Sequence, residues 1–257
     1  MSKGIDTVAK AKSSRKLVVV SILAYFICLL VMFPLNIAYK LIDPKGLPVK
    51  VVSVSGTLWD GQLVVKQSLI GQTTLNWELF PSALFTGEVK SNFSVKSAQV
   101  EGKGDVSVAL NGDITLSQIS AYVDSALINK PLRSQRVNVK GDVELIQTNI
   151  VFNIKDKQTS FASGRLVWAG GDVQYPKGRS KKSANLPMLI ADISSLNGEL
   201  LAQVHTDDGQ NVAKANLKKD GWASIAIQKR MIDLVGEPWP NKASADSVIF
   251  EVSEKVF

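Results

Sequence analysis

Residues 17–39, LVVVSILAYFICLLVMFPLNIAY, form 23 consecutive positions without a charge. At about 1.5 Å rise per residue, a helix of this length spans roughly 34 Å, enough for a hydrocarbon core of about 30 Å. The segment predicts a single transmembrane helix. A cleaved signal peptide has a shorter apolar stretch, about 7–15 residues, followed by small residues at its cut. Here the run ends Phe33-Pro34-Leu35-Asn36-Ile37-Ala38, and Asn36 suits a cleavage site poorly, so the reading is a retained anchor. Lys3, Lys10, Lys12, Arg15 and Lys16 precede the span against one Asp6, whereas Lys40, Lys45 and Lys50 follow it with Asp43. The heavier positive flank stays in the cytoplasm. The expectation is a cytoplasmic tail over 1–16, a span over 17–39 and an exported domain over 40–257.

The net charge of +7 follows the same division. Residues 1–45 carry seven Lys or Arg against two Asp or Glu, and the remaining 212 carry 23 against 21. The basic excess belongs largely to the membrane flank. A nucleic-acid partner is not expected, because that usually needs a concentrated basic face. The one cysteine, Cys28, lies within the apolar span, so no disulfide forms inside the chain. A thiol-free domain suits an oxidising compartment.

After Gly46-Leu47-Pro48 the hydrophobic period becomes two. Val52 and Val54 alternate with serines; Leu75, Trp77 and Leu79 share a parity, as do Val106, Val108 and Leu110. The same spacing recurs at Val143 and Leu145, at Ile150 and Phe152, at Leu166 and Trp168, at Leu200, Ala202 and Val204, and finally at Val248, Phe250 and Val252. Alternation of this kind puts one face of each strand on a core and one in water. Asp60-Gly61, Asn111-Gly112-Asp113, Gly141-Asp142, Asn197-Gly198, Asp208-Gly209 and Asp220-Gly221 read as hairpin turns. The fold class predicted is mainly β: a curved antiparallel sheet, sandwich-like or a partly open barrel, with few short helices. A turn is expected over 79–84, a helix over 117–128 with Ile119, Tyr122, Val123, Ala126 and Leu127 on one face, and a short helix over 230–235. The polar, basic segment 175–183 reads as an exposed loop, with a division into two β halves near 171–187.

Signals for chemistry are sparse. His205 is the one histidine and precedes Thr206-Asp207-Asp208-Gly209, which reads as a turn flank. Zinc usually draws several His or Cys ligands, and nucleophilic catalysis needs a base beside the nucleophile. No phosphate-binding glycine loop is present. No catalytic, cofactor-binding or metal-ligating residue is assigned, and the expectation is a protein without enzymatic activity.

Gly56-Thr57-Leu58-Trp59-Asp60-Gly61, followed by Leu75-Asn76-Trp77-Glu78-Leu79-Phe80-Pro81, resembles the signature of the type II secretion system protein N family (GspN). Gly164-Arg165-Leu166-Val167-Trp168-Ala169-Gly170-Gly171, Leu186-Pro187-Met188-Leu189 and Gly236-Glu237-Pro238-Trp239 continue the likeness in order. The resemblance implies an accessory component of the machine that exports folded proteins across the outer membrane of Gram-negative bacteria. It implies a bitopic inner-membrane protein with a periplasmic domain, partnered by other inner-membrane and periplasmic secretion subunits. The family supplies no catalytic residues. Gly56, Leu58, Trp59, Gly61, Trp77, Pro81, Trp168, Gly170, Pro187, Pro238 and Trp239 are therefore read as structural positions, with Asp60-Gly61 as a tight turn. Trp59 is weighed as core against a partner-binding anchor. The sequence order also resembles, more loosely, the AsmA-like proteins, so a lipid-binding or lipid-transfer module with an apolar sheet groove is the alternative.

Overall fold

The period-two stretches become strands, and they pair in the order in which they occur. The computed structural model describes residues 17–22, 25, 32–42, 49–239 and 242–256. The first strands are β1 (Lys50–Gly56), β2 (Asp60–Gln67), β3 (Gly71–Leu79), β4 (Glu88–Ser97), β5 (Val100–Ala109) and β6 (Asp113–Val123). After β7 (Asn138–Val139) come β8 (Val143–Asn153), β9 (Gln158–Trp168), β10 (Gly171–Lys177) and β11 (Ser180–Leu186). The last are β12 (Leu189–Leu196), β13 (Glu199–Thr206), β14 (Asn211–Leu217), β15 (Trp222–Gln228) and β16 (Val248–Lys255). Thirteen of them make one antiparallel sheet, β1-β2-β3-β4-β5-β6-β8-β9-β12-β13-β14-β15-β16, and the other three make the small sheet β11-β10-β7. The large sheet is open, with β1 and β16 at its edges. It neither closes as a barrel nor folds over as a sandwich. At about 4.8 Å per strand its width is about 58 Å.

Register places apolar residues of every strand in one row. Val54, Leu63, Leu75, Val95, Gly102, Ala121 and Leu145 are successive cross-strand partners. The row continues through Leu166, Ala191, Val204, Ala213, Ile227 and Phe250. The opposite face carries polar rows such as Gln62, Asn76, Ser94, Lys103 and Ser120. Gln62 Nε2 donates to Asn76 Oδ1 at 2.9 Å, and Asn76 Nδ2 to Ser94 Oγ at 3.2 Å. Little covers the apolar face: among the described residues, the buried hydrophobic side chains are Ala162, Leu186, Ala191 and Val212. The chain exposes 17090 Å², against about 11,000 Å² expected of a compact protein of 27.8 kDa.

The segment 117–128 is not the expected helix. It is the end of β6 followed by α2 (Ser125–Leu132). β6 bulges at Gln118 (φ 52°) and β8 beside it at Gln147 (φ 41°). Each bulge adds one residue and so switches parity: Ile114 and Leu116 hand over to Ile119 and Ala121, and Val143 and Leu145 to Ile150 and Phe152. The three-residue step from Leu116 to Ile119 imitates a helical spacing in sequence. Gly104 and Gly164 flank the bulges for lack of room. A Cβ on Gly104 would stand 2.3 Å from Ile119 Cδ1, and one on Gly164 2.3 Å from Thr148 Oγ1.

The segment 175–183 is also not a loop but the hairpin of β10 and β11, turning at Gly178. Its polar sequence pairs as a ribbon without burying an apolar face, which is why it reads as a loop. The three long connections, 124–142, 169–188 and 229–247, all leave from one end of the large sheet. They are tied to each other. β7 pairs with β10, and Lys140 Nζ reaches Asp172 Oδ2 at 2.8 Å. Glu237, just beyond α3 (Lys229–Val235), accepts from Lys177, from Lys182 at 3.0 Å and from Tyr175 Oη at 2.9 Å. The two lysines and the tyrosine hold the Glu237 carboxyl down at about 2. The helix at 229–235 and the 3-10 turn Pro81–Thr86 agree with expectation.

At the amino-terminal side, residues 17–22 and 25 are helical and α1 (Leu35–Ile42) lies against β1. Among the described residues no helix is long and apolar enough to cross a membrane. The expected span over 17–39 includes residues 23–24 and 26–31, which lie outside the described ones, as does the tail 1–16.

Gly102 and Gly104 test the packing argument, because both sit in β5 but only one is crowded. The nearest atom to a Cβ on Gly102 is Ala121 Cβ at 3.6 Å. Gly104→Leu is expected to destabilise by about 1–3 kcal/mol through overpacking, and Gly102→Leu by about 0.5 kcal/mol or less. Chemical denaturation of the two variants beside the parent checks the difference.

Candidate functional site

The resemblance residues gather at three places, and the largest group is one corner of the sheet. The turn from β1 to β2 is Thr57-Leu58-Trp59, closed by Thr57 N donating to Asp60 O at 2.8 Å. Thr57 Oγ1 accepts from Trp59 N at 3.3 Å and Asp60 N at 3.2 Å. Asp60-Gly61 is therefore not the turn. Gly56 supplies the left-handed residue (φ 85°), while Gly61 lies inside β2 facing Gly56. What Gly61 provides is a surface for Trp77 on β3: a Cβ there would stand 2.3 Å from Trp77 Cζ2. The Trp77 indole N–H donates to Leu58 O at 3.0 Å, and Leu79 N donates to Trp59 O at 2.6 Å. Pro81 then opens the 3-10 turn that leads to β4. Trp59 is half-buried, and its indole N–H is buried without a hydrogen-bond partner among the described residues.

A second group repeats this device at the other end of the sheet. Trp168 closes β9 and its indole N–H donates to Lys140 O at 3.0 Å. Gly141 lies under it, where a Cβ would stand 3.0 Å from Trp168 Nε1. Gly170 (φ 77°) meets the Pro187-Met188 backbone closely, at 2.8 Å from the position of an added Cβ. In both corners a tryptophan lies close to a glycine, Gly61 within β2 and Gly141 in the connection before β8, and donates its N–H to a carbonyl of a connecting segment. The third group is Pro238 and Trp239; the Trp239 ring stands edge-on to Phe250 at 5.3 Å and 81°. The three groups do not converge on one point, as structural positions need not.

His205 sits at the end of β13 before the turn, as expected, but it has partners that sequence spacing hides. Its Nδ1 lies 2.8 Å from Thr206 O and its Nε2 2.9 Å from Asp192 Oδ2, and the protonated imidazole donates to both. Asp192 also accepts from Arg165 Nε at 3.0 Å. The line Arg165, Asp192, His205 crosses β9, β12 and β13 on the polar face, and only the strand register brings it together. The Thr206 carbonyl, and behind it the Asp192 carboxylate, raise the His205 pKa. Arg165 chiefly holds Asp192 below the usual carboxylate range. The geometry is that of an ion pair on a sheet surface. No nucleophile stands against the imidazole, both of whose nitrogens are engaged. Among the described residues no three His, Cys, Asp or Glu are placed to hold a metal.

The pairing has a testable sign. A raised His205 pKa contributes stability that is fully present below the unfolded value of about 6.5 and is lost as pH rises through the folded value. The sole histidine should titrate above about 6.5 by NMR, and Asp192→Asn should move it back toward that figure. A wild-type titration at or below the ordinary value would contradict the pairing.

The model of the family described as type II secretion system (T2SS), protein N, matches residues 48–231 of this chain, more than half of its 257 residues. The match takes in the corners at Trp59 and Trp77 and at Trp168 and Gly170, and stops short of Pro238 and Trp239. No match was found among curated proteins or among solved structures. A chain with this family's pattern over most of its β domain belongs to the type II secretion system protein N family.

Proposed function

We propose that the chain is a non-catalytic accessory component of the type II secretion pathway, held in the bacterial inner membrane by the apolar segment that begins at Leu17. Its domain over 40–257 stands in the periplasm and makes protein–protein contacts in the export of folded proteins across the outer membrane. The observation that carries this reading is the family match across 48–231. Contact-making is supported by β16, an edge strand that among the described residues pairs with β15 alone and is exposed along most of its length. An exposed edge offers unpaired backbone groups to a partner strand. A photo-activated cross-linker at Val252 in intact cells should capture an inner-membrane or periplasmic secretion subunit, and deletion of the chain should reduce secretion. Unchanged secretion together with no captured subunit would overturn the reading.

The apolar row favours a second reading, lipid binding by the sheet face. From Val54 to Ile227 every member is apolar, and all but Ala191 are only half-buried. A continuous strip of this kind suits acyl chains better than it suits water. Gly102→Trp places a large ring on the strip where a Cβ meets nothing closer than 3.6 Å. If the strip carries lipid, phospholipid co-purifying with the chain should fall in that variant while the fold is retained. Equal amounts in variant and parent would remove this reading.

A further inference from the structure

Three successive turns at one end of the sheet carry large apolar side chains at their tips: Leu58 after β1, Leu84 and Phe85 in the 3-10 turn after β3, and Leu110 after β5. Phe85 is 92% exposed, Leu110 85%, and Leu58 and Leu84 49% each. Turn tips are ordinarily Gly, Pro, Asn, Asp or Ser. The three turns are joined side by side, through Trp59 O with Leu79 N at 2.6 Å and Gly87 O with Leu110 N at 3.2 Å. The other end of these strands is different. There α2 lies across the turns, and its Lys130 donates to Leu69 O and to Gln99 Oε1.

The chain itself points to what meets this rim. Pro34 forms a backbone bridge with Thr57, in the same turn as Leu58. The apolar stretch before Pro34, with Leu17, Val19, Tyr25 and Met32 each more than 60% exposed, therefore joins the domain at this rim. The nearby charges do not make the rim cationic. Lys90, over the Phe80 ring at 5.9 Å, and Lys155, which donates to Leu110 O at 3.2 Å, stand against Asp60, Glu78 and Glu88.

We propose that this rim docks into the surface of the phospholipid bilayer from which the chain's own anchor emerges, with Phe85 and Leu110 entering the headgroup region. The proposal rests on the anchored reading above. Attraction comes from the apolar tips, so zwitterionic lipid suffices. Neighbouring strands rotate by about 20–25°, so tips well beyond β6, such as Leu196 and Trp222, turn out of the contact plane.

The full chain carries one cysteine, Cys28, which makes the test direct. Cys28→Ser is combined with Phe85→Cys, Leu110→Cys or Asp207→Cys, labelled with an environment-sensitive fluorophore and reconstituted in phosphatidylcholine vesicles containing nitroxide lipid. Labels at 85 and 110 are expected to be quenched severalfold more than the label at 207, whatever the salt concentration. Quenching at 85 and 110 no greater than at 207, with a label on native Cys28 strongly quenched, overturns the rim proposal and leaves the anchor standing. An unquenched Cys28 label overturns both. Phe85→Glu with Leu110→Glu, at two exposed positions, should keep the melting temperature and return a Leu58→Cys label to water.

Discussion

Side chains in a strand alternate faces with a period of two, so thirteen strands share one apolar face only if each stays in step with its neighbours. This chain keeps step without a thick core to enforce it. Where a strand would fall out of step, one extra residue is inserted: at Gln118 in β6 and at Gln147 in β8, side by side. A slip of one position there would send Ile150 and Phe152 to the polar face. Gly104 and Gly164 hold the corrected register by leaving space that no side chain may enter. The apolar row, the polar face and the placement of the turns all depend on that correction.

Much of this was legible in the sequence because period two is a strong local signal. Leu75, Trp77 and Leu79, or Val248, Phe250 and Val252, declare their strands directly. The failures came where two local signals overlapped. The 116-to-119 step in β6 imitates a helix because a bulge and a helical turn both place apolar residues three apart. The β10–β11 hairpin was missed because Lys177 to Ser183 buries no apolar side and so carries no alternation to read. Asp60-Gly61 looked like a turn because that dipeptide often is one; only the Trp77 ring shows why the glycine is needed inside the strand. The line from Arg165 to His205 was beyond a single sequence, since it exists only through the register of β9, β12 and β13. The apolar turn tips at Leu84, Phe85 and Leu110 were visible as residue types in the wrong place, and that oddity is the signal that finds them.

Membership of the secretion protein N family and the shape of the domain point the same way. Two tryptophan–glycine corners, Trp77 on Gly61 and Trp168 at Gly141, brace the sheet at opposite ends while leaving its faces clear. The titratable groups are spent on bracing too. Glu237 binds the β10–β11 hairpin to the segment after α3, and Asp142 accepts from Tyr122 Oη at 2.5 Å and from Ser125 N at 3.0 Å. Surface area, rather than a pocket of reactive groups, is what this architecture supplies in quantity, and surface is what an accessory subunit of a large assembly uses.

The two edges of the sheet are unlike. At one, α1 lies against β1 and Pro34 bridges Thr57; at the other, among the described residues, β16 pairs with β15 alone. The row of N–H and C=O groups that β16 turns away from β15 can accept one further strand, which would widen the sheet by about 4.8 Å without disturbing the register already set.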